Sequence, residues 1–143
     1  MNALNIISVI CFLMVMIIGV VFASMYLFRK KFMPYHEVAV GKSWQKLDHE
    51  IQTLILALMR VVGGGWLAAS AAIAVFIYFL ILKGESWSAL AIFLTGFAVT
   101  VPTLIATILV KTRTSAKPPV MAALLALLLL VTGLLMHILP DGI

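Results

Sequence analysis

LILALMRVVGGGWLAASAAIAVFIYFLIL, residues 54–82, is a run of 29 residues interrupted by one charge, Arg60. As a helix it would extend roughly 43 Å, about 13 Å more than the hydrocarbon core of a bilayer. A guanidinium deep in lipid is costly, whereas at the boundary its stem can lie in the apolar layer while the head reaches water. The membrane span is therefore expected to begin after Arg60, at residues 61–82. Three further runs of similar length, residues 6–28, 89–110 and 120–139, contain no Asp, Glu, Lys or Arg. Four spans account for most of the 143 residues, and the segments between them are too short for a soluble domain. The expectation is an all-α integral membrane protein, a single four-helix domain over residues 1–143 in up-down order.

Composition agrees. The chain is 64% hydrophobic and 10% charged, far from the near-half apolar and quarter charged balance of soluble domains. Its mean hydropathy is +1.21. Cys11, the single cysteine, lies inside the first run and follows Ile10, so neither an internal disulfide nor a lipoprotein anchor is expected. The first run resembles a secretory leader at Val21-Phe22-Ala23, but it is long and no basic residue precedes it, so it is read as a retained span.

The ten Lys and Arg residues are unevenly placed. Arg29, Lys30, Lys31, Lys42 and Lys46 follow the first span, and Lys111, Arg113 and Lys117 follow the third, against Lys83 alone in the turn between the second and third. By the positive-inside rule the first and third connections face the cytoplasm and both termini the opposite side, with a bacterial inner membrane as the expected location. The net charge of +5 is thus a topology signal. These charges flank spans and accompany no recognition motif, so nucleic acid is not an expected partner. The expected partners are the lipid bilayer and, in its plane, a second copy or another membrane protein.

The connection from Arg29 to Gln52 is the long extramembrane stretch. Pro34 and a β-branched alternation give its first half the character of extended chain at the interface. In its second half, Trp44, Leu47, Ile51, Leu54 and Leu58 recur at spacings of three and four after Ser43, a plausible N-cap. This predicts a cytoplasmic amphipathic helix over residues 43–60, leading into the second span. Gly63, Gly64 and Gly65 each cost about 1 kcal/mol relative to alanine in a helix, which calls for close packing or a hinge. The stripe Gly64, Ala68 and Ala72 suits close packing, as do Gly19 with Ala23 and Ala122 with Ala126. Pro118 and Pro119 suit the start of the last span, and Pro140 its end.

Candidate functional groups gather in two places. Tyr35, His36, His49 and Arg60 could form a cytoplasm-facing pocket in which the guanidinium binds a carboxylate or phosphate. In the third span Thr100, Thr103 and Thr107 share a face with Gly96, and Pro102 frees the carbonyl of Ala98, an arrangement suited to a helix contact or a small-solute cleft. His36 and His49 with Glu37 or Glu50 match no strong zinc spacing, so no metal is expected, and no motif calls for a cofactor. The absence of a carboxylate within any span argues against proton-coupled antiport.

Three functions are compatible with this chain. The first is a non-enzymatic accessory or assembly component that meets a partner or lipid through its cytoplasmic helix. The second is an integral-membrane enzyme acting on a lipophilic substrate, and the third a small-solute carrier using the threonine stripe. In length, basicity, four spans and outside termini the chain resembles the membrane-associated eicosanoid and glutathione metabolism proteins, which implies trimers and a thiol-peptide site at cytoplasmic helix ends. The asparagine of that family's second-helix cluster has no counterpart here, where Asn2 and Asn5 both precede the first span.

Overall fold

The computed structural model describes residues 3–139, so Asn2 and Pro140 lie outside the described residues. The elements are α1 (Ala3–Leu27), α2 (Pro34–Val40), a 3-10 turn at Trp44–Lys46, α3 (His49–Leu82), α4 (Trp87–Arg113) and α5 (Val120–Ile138). Helices α1, α3, α4 and α5 are each long and apolar enough to cross a membrane. α1 and α4 each pack against α3 and α5, giving an up-down four-helix bundle with α1 and α4 on one diagonal. The start of α1, the end of α5 and the turn containing Gly84 lie at one end of it. The other end carries α2 and the α4–α5 connection.

The bundle is apolar inside and out. Ile10, Ile17, Val21, Leu67, Val75, Leu94, Ile105 and Leu128 are among its many exposed large side chains. A surface of this kind is stable against acyl chains and not in water, and helices satisfy their backbone groups without solvent. The inner half nearest the termini is densely filled by Phe12, Val15, Ile73, Ile77, Ala89, Ile92 and Leu130. Small residues set the helix separations. A Cβ on Gly133 would approach Phe12 to 2.7 Å, and one on Gly96 would approach Leu130 to 2.6 Å. Ser8 donates to the Gly133 carbonyl at 2.7 Å and ties α1 to α5.

Three sequence expectations are corrected. Residues 34–40 are helical instead of extended: Pro34 occupies the first turn, where its missing N–H costs nothing, and Gly41 ends the helix at φ 70°. The helix expected from residue 43 begins at His49, and Ser43 precedes the separate 3-10 turn. Gln52 joins that turn to α3 by donating from its side chain to the carbonyls of Trp44 and Leu47, at 2.8 and 3.0 Å. Finally, α3 runs unbroken through the three glycines, and its inward face is Met59, Gly63, Trp66, Ala69, Ser70, Ile73 and Ile77. Gly64 and Ala72 are half-buried and Ala68 is exposed, so the packed stripe is displaced from the expected one.

A candidate ligand cleft beneath α2

The connection from α1 to α3 folds back onto the bundle. Phe32, Met33 and Leu47 are buried with Tyr26 and Met59, and this second apolar cluster holds α2 across the open end of the bundle. α2 itself has no buried residue. Beneath it lies a cleft of about 350 Å³ between the diagonal helices α1 and α4. Phe22 and Tyr26 form the α1 wall, Tyr35 and His36 the α2 roof, and Pro102, Thr103, Ala106 and Thr107 the α4 wall. Val62 of α3 completes it. Val62, Pro102 and Ala106 are also exposed, so the cleft opens sideways between α3 and α4. A second void of about 340 Å³ shares Tyr26, His36 and Val62 with it and continues along α3 under Ala39 and Val40.

The polar atoms of the cleft have defined hydrogen-bond roles. The hydroxyls of Tyr26 and Tyr35 are 2.6 Å apart, so one proton is shared within the pair and the other O–H is left to donate elsewhere. The Met33 backbone N–H donates to His36 Nδ1 at 3.3 Å. That bond assigns the proton of the neutral imidazole to Nε2. Burial lowers the His36 pKa, which favours this neutral form, while burial and the bond to Tyr26 push the Tyr35 hydroxyl up and keep it protonated. On α4 the Thr103 hydroxyl donates to the Val99 carbonyl at 2.8 Å and Thr107 to Leu104 at 2.9 Å. Both threonines therefore present oxygen lone pairs and no free proton.

The residues singled out by sequence are divided by the structure. Tyr35 and His36 come together over the cleft, with edge-to-face rings 4.3 Å apart, and Thr103 and Thr107 face them across it. His49 and Arg60 are both exposed on α3 and line neither void. They stand eleven residues apart on the helix, roughly 16 Å along its axis, so the expected four-residue pocket is not assembled. Thr100 is fully buried, with its Oγ1 unbonded among the described residues, and does not line the cleft. Between it and the far end stand the fully buried Ile92 and Leu130, so the threonine stripe does not form a polar path.

Sequence reasoning did not single out Tyr26 and Phe22, which line the cleft. Their participation depends on where α2 folds back, for which the one local signal was Pro34 followed by Gly41 at helical distance. Among the described residues no group of three or more His, Cys, Asp or Glu could hold a metal ion. What the arrangement can do is hold a small apolar body by its polar end. Comparison with protein-family models, with curated proteins and with solved structures finds no match.

Proposed function

We propose that this chain is a non-enzymatic accessory component of its membrane that holds one lipophilic molecule in the cleft beneath α2. The supporting observation is the cleft itself: apolar walls, polar atoms concentrated at the α2 end, and a lateral opening between α3 and α4. Small-molecule sites have this form, a mostly apolar cavity with few polar groups to fix orientation, and its volume is at the lower end of their range of about 300 to 1,000 Å³. Val62 lies roughly 30 Å along α3 from its end at Leu82, so the opening is near one membrane surface, where an amphipathic molecule keeps its head. The eight basic residues in the last turn of α4 and in the two connections at this end argue for the cytoplasmic side of a bacterial inner membrane. On the outer face of α3, a Cβ at Gly64 or Gly65 would meet nothing within 4 Å. That small-residue surface is where we place a second membrane helix, from another copy or another protein.

The test is native mass spectrometry of the protein extracted in mild detergent. The expected spectrum carries one bound lipophilic molecule per chain, and Ala106→Trp, which places an indole in the cleft, should remove it. A wild-type chain without adducts, or an adduct retained unchanged by Ala106→Trp, would sink the reading.

A further inference from the structure

Resting on that reading, we infer that the molecule held in the cleft is uncharged and presents a carbonyl oxygen to His36 and to the Tyr26–Tyr35 pair, the chemistry of a membrane quinone ring or of an acylglycerol ester. Three observations carry this. First, the protons available from the roof are donors: the Nε2–H of His36, assigned by the Met33 bond to Nδ1, and the one free O–H of the Tyr26–Tyr35 pair. A head group that meets them must accept. Second, no Lys, Arg, Asp or Glu is among the residues lining the cleft, and Arg60 is exposed on another face of α3. A phosphate or carboxylate drawn in would give up its water without gaining a countercharge, a cost that neutral donors do not offset. Third, the α4 wall is apolar apart from two threonine oxygens whose protons are committed to Val99 and Leu104. An ammonium or hydroxyl-rich head would find few acceptors there, whereas a carbonyl on an apolar body leaves no group unsatisfied. The tail of such a molecule leaves through the gap between α3 and α4 into the acyl chains.

The experiment measures retention of added probes by the purified full chain in detergent micelles, quantified by mass. The probes are decylubiquinone, dioleoylglycerol, dodecyl phosphate and decane. Retention of decylubiquinone or dioleoylglycerol at one per chain, with dodecyl phosphate and decane released, is the expected result, and which of the first two is kept identifies the ring or the ester. Two variants locate the carbonyl. His36→Leu should weaken retention by about three- to tenfold, the value of one neutral hydrogen bond. His36→Gln, whose amide can both accept from Met33 and donate to the ligand, should restore it. Dodecyl phosphate retained as tightly as the carbonyl probes would overturn the inference while leaving the cleft as a lipid site. Equal retention by His36→Leu and wild type would also overturn it. Loss of every probe from wild type, with no endogenous adduct, would instead remove the cleft reading itself.

Discussion

Gly63, Gly64 and Gly65 are adjacent in sequence and have different jobs. A Cβ on Gly63 would lie 2.9 Å from Leu27 Cγ, 3.0 Å from Tyr26 Cβ and 3.1 Å from the Ala23 carbonyl, whereas one on Gly64 or Gly65 meets nothing. Gly63 is thus a point where α3 lies close against α1, immediately beside the cleft, and its lack of a side chain leaves room for Tyr26. Gly63→Ala is expected to destabilise the bundle by about 1 to 3 kcal/mol through overpacking. Gly64→Ala should raise stability by up to about 1 kcal/mol through helix propensity. Thermal unfolding in detergent, followed by circular dichroism, distinguishes them, and equal effects would mean that α3 does not lie close against α1 at Gly63. The sequence announced that glycines were needed here but not which one. In a helix apolar on every side, hydrophobic periodicity carries no phase, so nothing in the composition separates the face toward α1 from the face toward lipid.

At the scale of elements, α2 is the part least legible in the sequence. Seven residues cannot form a stable helix alone, and Val38 and Val40 favour extended chain, so its helicity depends on tertiary anchors. These are the buried Phe32 and Met33 before it, the Tyr26–Tyr35 hydrogen bond, and the Met33 N–H bond to His36 Nδ1. The last anchor titrates. Burial holds the His36 pKa below its usual value, so the folded chain takes up this proton less readily than the unfolded one. The stability it supports is fully present above about pH 6.5, the ordinary histidine value, and declines as pH falls below it toward the folded pKa. Protonation also puts a hydrogen on Nδ1, which then cannot accept from Met33. The groups facing the ring are aromatic or phenolic: Tyr26 from α1, and Phe32 and Tyr35 from its own segment. Protection of the amides within residues 34–40, taken as the exchange rate relative to the intrinsic rate at each pH, is therefore expected to fall between pH 7 and pH 5, and to do so less in His36→Gln. Protection that stays constant across this range would show that the imidazole does not anchor α2.

For the whole molecule, the four spans were legible because each is a continuous apolar run of bilayer length, and the observed helices end within a few residues of those runs. The short connections from α3 to α4 and from α4 to α5 force antiparallel neighbours, and the longer first connection folds back at the same end as the third. The cleft was not legible, because it arises where the diagonal pair α1 and α4 separates below α2, a relation between residues about eighty positions apart. Which membrane surface this end faces rests on charge. Eight basic residues lie in the last turn of α4 and in the two connections at the α2 end, against Lys83 alone in the opposite turn, a bias that sets orientation during insertion. Ser115 and Ser86 are exposed at the two ends of α4 and report on opposite sides. In a Cys11→Ala background, which removes the buried native thiol, Ser115→Cys should react with a membrane-impermeant maleimide only from the cytoplasmic side, and Ser86→Cys only from the other. The reverse pattern would place α2, its cleft and the lateral opening in the outer leaflet. The ligand would then be drawn from that leaflet, and any partner that meets α2 would have to be sought on the non-cytoplasmic side.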